Sequence, residues 1–200
     1  MRGRLTGIVL RNGIEIADPL DVTLEFLGGS SSYDAFESPA SSFDEEDLRH
    51  ANRGGARISA AQIFAILDRR NAIEAALRRI EPDASLAGRV PWDALVQLFD
   101  AFADIGGVGF SKITKALHRK RPALIPMLDS VVQRYLASVD GDLDVSGTFG
   151  ERATALVRSY KRDLDPNVAS LQEIQRELAR RDHRLTEVRI LDLLIWSVSV

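Results

Sequence analysis

The chain contains no cysteine, and its 200 residues include only three histidines. Disulfide bonds, cysteine-bound iron–sulfur clusters and cysteine-bound zinc are therefore excluded. His50, His118 and His183 are widely separated in the sequence, which disfavours a histidine metal centre. We accordingly expect no metal ion and no cofactor. Aromatic residues make up only 6% of the chain, and no aromatic-rich loop suited to stacking on nucleotide bases stands out.

Long apolar runs are also absent. No segment after Met1 is apolar enough for a signal peptide or a membrane span, so we expect a cytoplasmic protein without a membrane partner. The composition, 45% hydrophobic and 28% charged, is ordinary for a globular protein. Two hundred residues suffice for one domain with a real core, and we expect a single domain over residues 1–200.

Charge is unevenly distributed along the chain. The net charge of −3 disfavours a protein that coats nucleic acid without specificity. Residues 34–47 carry six acids and no base, whereas residues 105–128 carry five lysines and arginines and no acid. A ligand that touches one face responds to the local charge more than to the total. The basic segment is therefore the first place to look for an anionic ligand.

The pattern of caps and apolar spacing predicts a mainly α, multi-helix bundle. Residues 5–17, centred on Asn12-Gly13, are typical of a short β-hairpin. Capping boxes at Ser42–Glu45 and Ser59–Gln62 predict helix starts. We expect Asp165-Pro166 to end a helix that begins near Phe149, with a new helix at Ser170. Thr186 to Val198 is apolar nearly all round, which indicates a buried helix.

A glycine turn divides residues 91–120 into two helices. Three glycines within Gly106–Gly109 favour positive φ and leave amides free at the start of the second helix. Such a helix start binds phosphate through its amides and its dipole. The spacing therefore predicts a helix-hairpin-helix element whose second helix can contact a nucleic-acid backbone. Its candidate DNA-binding residues are Gly107, Gly109, Ser111, Lys112, Lys115, Arg119, Lys120 and Arg121.

The segment after the hairpin, residues 121–139, comprises a proline-bounded loop and a helix that Asp129 opens. A G-x-G turn followed by a helix, with an aspartate twenty residues after the last glycine, resembles the helix-hairpin-helix DNA glycosylase superfamily. Residues 125–136 are most similar to the adenine-excising branch, whose members carry a motif similar to F-P-I-L-D-G-N-V-x-R-V-L. The positions in register are Pro126, Leu128, Asp129, Val132, Arg134 and Leu136. The whole chain is also similar to an uncharacterised actinobacterial domain family, which adds no function.

The resemblance implies a catalytic role for Asp129. In that superfamily the aspartate faces the flipped nucleotide, stabilises an oxocarbenium-like sugar and orients the attacking water. Members with lyase activity carry a Schiff-base lysine two residues after the last hairpin glycine. Ser111 holds that position here, and Lys112 is one residue further on. The resemblance therefore implies a monofunctional enzyme. An upstream glutamate acting as general acid cannot be assigned, because Glu45 and Glu46 lie in a capping turn.

Several features have an alternative interpretation. Asp129 is also a favourable N-cap, and the run His118–Arg121 is also typical of a solvated helix end. Asn52–Gly55 is either a helix stop or one wall of a pocket, and Asp140–Asp144 resembles a calcium loop but lacks its glycine at position six. The alternative function is a non-catalytic helical module that binds DNA or a protein.

Overall fold

The computed structural model describes residues 7–29, 33–34, 38–141 and 146–199. Within these residues, the fold is mainly α, with nine helices and a two-stranded N-terminal sheet. The elements are β1 (Ile8–Val9), β2 (Glu15–Ile16), α1 (Pro19–Gly29), α2 (Glu45–Arg53), α3 (Ala60–Leu67), α4 (Arg70–Leu77), α5 (Trp92–Asp100), α6 (Phe110–His118), α7 (Ser130–Asp140), α8 (Phe149–Ala179) and α9 (Glu187–Ser197). No helix in the described residues is both long and apolar enough to cross a bilayer.

The N-terminal ribbon is the predicted β-hairpin, of which residues 5 and 6 lie outside the described residues. β1 and β2 pair antiparallel, and Gly13 closes the turn with a φ of 83°. Arg11 fixes the ribbon to the helices: its Nε lies 2.8 Å from Asp163 Oδ2, and its Nη1 lies 2.6 Å from Asp140 Oδ1. Asp140, the first residue of the suspected calcium loop, therefore forms an ion pair with Arg11. The remainder of the suspected calcium loop, residues 142–145, lies outside the described residues.

The helix α8 runs without a break for 31 residues, and Pro166 lies inside it. The predicted break at Asp165-Pro166 and the predicted new start at Ser170 are therefore wrong. Proline in a helix costs about 3 kcal/mol, but the buried face of α8 continues on both sides of it, from Tyr160 to Ile174. Each large apolar side chain buried there contributes about 1.5–3 kcal/mol. Packing on α5, α9, α1 and α7 thus outweighs the local preference.

Helix caps are mostly where the sequence places them. Ser59 and Gln62 form the predicted capping box of α3, and Thr186 caps the buried α9. The start of α2 differs from the prediction, because the N-cap is Asp44 rather than Ser42. The Asp44 carboxylate accepts from the amides of Glu46 and Asp47. The sequence offers two overlapping capping boxes, Ser42–Glu45 and Asp44–Asp47. The second, which begins with a carboxylate side chain, is the one that forms.

Candidate nucleic-acid-binding groove

The glycine turn connects α5 to α6 as predicted, but of its three glycines only Gly107 has a positive φ. Gly107 has a φ of 71°, and a Cβ there would lie 2.7 Å from Gln62 Nε2. Glycine is therefore favoured at position 107 by the backbone conformation, and a side chain there would also displace the end of the Gln62 side chain. Gly109 is the N-cap of α6 and has an extended backbone, with φ −106° and ψ −178°. Its role is to leave the helix start uncovered.

Gln62 fixes the turn to the start of α3. Its Nε2 donates to the Gly106 carbonyl over 3.1 Å, and its Oε1 accepts from the Ser59 amide over 3.1 Å. Lys112 Nζ donates to the same Oε1 over 2.7 Å. One side chain thus completes a helix cap, holds the hairpin turn and directs Lys112. The orientation of the hairpin is set by α3 as well as by its own glycines.

The N-terminus of α6 carries unused hydrogen-bond donors. In the described part of the chain, no side chain forms a capping hydrogen bond at this helix start, whose N-cap residue is Gly109. Among the described residues, no acceptor bonds the amides of Gly109, Phe110 or Ser111. The first turn of a helix also carries the positive end of the helix dipole. These amides can therefore hold an anion such as a phosphate oxygen.

Asp129 is both a helix cap and a residue of the groove. Its Oδ1 accepts from the amides of Val131 and Val132 over 3.0 and 3.1 Å, so the alternative of an N-cap is confirmed. Its Oδ2 accepts from Trp196 Nε1 over 2.9 Å and lies 4.0 Å from Lys115 Nζ. Thr114 supports the preceding loop, because its hydroxyl accepts from the Leu128 amide over 3.0 Å. The carboxylate is held from three elements, α6, α7 and α9.

Lys115 is the most deeply placed cation of the groove. Its residue is only 9% exposed, and among the described residues its Nζ donates no hydrogen bond. Burial lowers the pKa of Lys115, and the neighbouring Asp129 carboxylate opposes that effect. The side chain lies one helical turn beyond Ser111, so both face the same side of α6.

These residues open onto one groove of about 790 Å³. One wall is the hairpin, with Gly109, Ser111, Lys112 and Lys115, and the floor includes Asp129 and Trp196. The opposite wall is the turn Gly54–Arg57. Of the predicted segment Asn52–Gly55, Gly54 and Gly55 line this groove, and Gly54 also ends α2. The lining carries three cations against one carboxylate, in a chain whose net charge is −3. The groove is thus a locally positive site in an acidic protein.

The other predicted DNA contacts lie elsewhere. Lys120 and Arg121 are 2% and 1% exposed. Lys120 Nζ lies 2.6 Å from Asp47 Oδ1, and Arg121 donates to carbonyls at the end of α4. Arg119 is half-buried, with its guanidinium 5.8 Å from the centre of the Tyr33 ring. None of these three cations lines the groove, and Lys120 and Arg121 are bonded within the framework around α6.

Behind the groove lie two buried titratable groups. His118 Nδ1 lies 2.7 Å from the Ile125 carbonyl, and burial lowers the pKa of His118 to about 4. Asp192 Oδ2 accepts from the Met127 amide over 3.2 Å, and burial raises the pKa of Asp192 to about 8. Neither side chain is exposed enough to touch a ligand. They hold the loop that leads to Asp129.

Sequence reasoning missed Trp196, Arg57 and Gln62. Trp196 lies in the stretch predicted to be a buried helix, yet it lines the groove and donates to Asp129. The nearby Asp192 is no signal for this placement, because it is 1% exposed and accepts from the Met127 amide behind the groove. No local signal in the sequence pointed to Trp196, Arg57 or Gln62.

Comparison with known proteins gives a family but no activity. Residues 26–199 match a family of unknown function (DUF6308). No curated protein and no solved structure matches the chain. The matched segment includes the whole groove.

Proposed function

The chain belongs to the DUF6308 family, which has no known function, and we propose from the groove that it binds DNA and hydrolyses an N-glycosidic bond. The observation that carries the proposal is the joint opening of the α6 N-terminus, Lys112, Lys115 and Asp129 onto one groove. In this proposal the hairpin holds the DNA backbone and Asp129 acts on one nucleotide. The resemblance to helix-hairpin-helix DNA glycosylases covers these same residues.

Electrostatics support binding to a phosphate backbone. Free amides at a helix start and nearby lysines bind phosphate without reading sequence. Each phosphate that is neutralised releases counterions, so affinity falls as salt concentration rises. The positive surplus of the groove lies within an acidic chain. We therefore expect binding that is local, salt-dependent and confined to this face.

The proposed reaction is hydrolysis at the sugar carbon that carries the base. The C1′–N bond breaks, the base departs with the electron pair and takes up a proton, and a water oxygen bonds to C1′ while losing one proton. Positive charge develops on the sugar during this step. Asp129 is only 7% exposed, and a fixed carboxylate in such a poorly solvated site stabilises positive charge more than it does in water. Trp196 and the two amides of α7 hold it in place.

We propose hydrolysis without strand cleavage. Ser111 occupies the position at which the resemblance implies a Schiff-base lysine, and a serine hydroxyl cannot form an imine. Lys112 Nζ is bonded to Gln62. The reaction product would then be DNA with an intact backbone and one abasic site.

A second candidate function is DNA binding without catalysis. The observation that favours it is that both oxygens of Asp129 accept hydrogen bonds from the protein. A carboxylate occupied in this way is sufficiently explained as a cap that joins α7 to α9. In this second candidate the hairpin wall still binds phosphate, and the groove releases no base.

The experiment is incubation with labelled duplexes that carry a panel of modified or mismatched bases, followed by detection of abasic sites. Hydrolysis predicts a product on at least one duplex and its loss in Asp129→Asn with DNA affinity retained. Affinity without product on every duplex favours the second candidate. Lys112→Glu with Lys115→Glu should abolish binding, whereas the matched reversal of Arg180 and Arg181, outside the groove, should not. Absence of affinity at low salt contradicts both candidates.

A further inference from the structure

Arg57 has a backbone conformation that favours glycine. Its φ is 54°, in the left-handed region. The same turn uses glycine at Gly55, where φ is 79°. A glycine at position 57 would adopt this conformation without steric cost. Non-glycine residues held in such a conformation are concentrated at sites where the side chain has a function.

The surrounding turn fixes this conformation. The Asn52 side chain accepts from the Ile58 amide over 2.6 Å and donates to the Ile58 carbonyl over 2.9 Å. The Ala56 amide donates to the Ala51 carbonyl over 3.1 Å. Ala56 and Ile58 are each 5% exposed. Two buried neighbours thus anchor the turn on both sides of Arg57 and direct its side chain outward.

The Arg57 side chain lines the groove opposite α6. It is exposed, and among the described residues it forms no hydrogen bond and no ion pair. Lys115, nine-tenths buried and without a hydrogen bond from its Nζ, lies on the other wall. Arg57 and Lys115 therefore face one space, and in the described part of the chain neither side chain donates a hydrogen bond, although Lys115 Nζ lies 4.0 Å from Asp129 Oδ2. Among the described residues, Arg57 has no hydrogen bond or ion pair that would offset its backbone strain.

We propose that Arg57 binds a second phosphate of the strand whose first phosphate lies on the α6 N-terminus. This inference rests on the proposed DNA binding and specifies the ligand: a polynucleotide strand that crosses the groove from wall to wall. A guanidinium matches a phosphate with two parallel hydrogen bonds, and it stays charged at any physiological pH. A mononucleotide carries phosphate at one end only and cannot engage both walls.

The test compares the full chain with Arg57→Gly by fluorescence anisotropy of a labelled duplex across a salt series. Loss of one charge-assisted contact should weaken binding about tenfold. The slope of log affinity against log salt should become shallower by about 0.9, the value for one phosphate. Glycine removes the strain, so the melting temperature should stay equal or rise, which separates lost binding from lost folding. Arg53→Ala is the matched control, because Arg53 is exposed in the same segment and borders a different depression.

Each outcome decides one point. Unchanged affinity and salt slope in Arg57→Gly, with binding lost in Lys112→Glu, overturns the role of Arg57 and leaves the proposed function standing. A wild-type chain without DNA affinity at low salt overturns the proposed function and this inference together. An unlabelled oligonucleotide should displace the labelled duplex more strongly, per phosphate, than a deoxynucleoside monophosphate does. Equal competition would show that the ligand is not a polynucleotide strand. Weakened binding with a shallower slope, seen in Arg57→Gly and not in Arg53→Ala, supports the proposal.

Discussion

The hydrogen bond from Trp196 to Asp129 can be tested as a stability linkage, independently of any substrate. The Nε1–Oδ2 distance is 2.9 Å, and the bond is only partly buried. A hydrogen bond to a charged group contributes about 1.5–3 kcal/mol, and partial exposure favours the lower end. Trp196→Phe also removes apolar contact, which adds about 1 kcal/mol. We expect the free energy of unfolding to fall by about 2–3 kcal/mol, with a melting temperature lower by about 4–10 °C.

Asp129→Asn should be destabilising for a related reason. Asparagine is a good N-cap, and its carbonyl can accept from the two amides of α7. The side-chain NH₂ of the asparagine then faces the indole N–H of Trp196, so two donors meet. Rotating the side chain by 180° would instead place the NH₂ against the backbone amides of α7. One donor is left without an acceptor, at a cost of about 1–3 kcal/mol. This cost should largely disappear in a Trp196→Phe background, where that donor is gone.

A double-mutant cycle therefore measures the linkage. Urea unfolding followed by circular dichroism should give a coupling energy of about 1.5 kcal/mol between Asp129→Asn and Trp196→Phe. Trp92→Phe is the matched control, because Trp92 stacks on Arg158 at 3.8 Å and does not touch Asp129. Its cycle with Asp129→Asn should be additive. A coupling below about 0.5 kcal/mol for the Trp196 pair refutes the linkage, since that value is the scatter expected of independent sites.

Three further predictions concern the same framework. Lys120→Met should lower the free energy of unfolding by about 3–5 kcal/mol in thermal denaturation, because it leaves the buried Asp47 carboxylate without its cation. The free energy of unfolding of the wild type should decrease as pH falls from about 6.5 to about 4. In this range His118 is protonated in the unfolded chain but stays neutral in the folded protein, where burial lowers its pKa. In His118→Asn that part of the pH dependence should be absent from urea unfolding curves. Borohydride reduction with abasic DNA should trap no covalent complex, because Ser111 replaces the Schiff-base lysine.

Each of these has a result that contradicts it. Adding Asp47→Asn to Lys120→Met should restore stability, and an additive loss would show that the ion pair is not the cause. Equal pH dependence in the wild type and His118→Asn would assign the acid loss to other groups. A trapped complex that disappears in Lys115→Met would show lyase chemistry at Lys115, and monofunctional hydrolysis would be wrong.

Local signals in the sequence account for most of the fold. The capping box at Ser59 is formed as predicted, because a cap depends on residues within one turn, and the predicted buried helix begins after Thr186. The ribbon around Gly13 follows from its turn residues in the same way. The continuity of α8 through Pro166 was not predictable locally. It depends on apolar surfaces of α5 and α9, which the spacing of α8 does not encode.

The hairpin wall of the candidate groove was predicted directly, whereas the turn at Gly54 and Gly55 was predicted only as an alternative to a helix stop. Glycine spacing and the distance to Asp129 are properties of one continuous stretch, and the structure brings these residues together. Trp196 lies 67 residues beyond Asp129, and nothing local announces their hydrogen bond. Lys120 and Arg121 look like surface cations in sequence. A long cationic side chain can be buried when a carboxylate or free carbonyl groups lie close to its charged end. Whether such acceptors lie nearby depends on the fold and cannot be read from the local sequence.

The docking of the N-terminal ribbon has a consequence for the order of folding. Arg11 contacts Asp163 across 152 residues of chain, so the ribbon is synthesised before α7 and α8 and can dock only after these helices exist. Contacts between such distant positions form late, because the whole intervening loop must close first. Amide hydrogens of β1 and β2 should consequently exchange before those of α8, through an opening that leaves the helical core intact. The ribbon should thus become native only after the helices on which it docks.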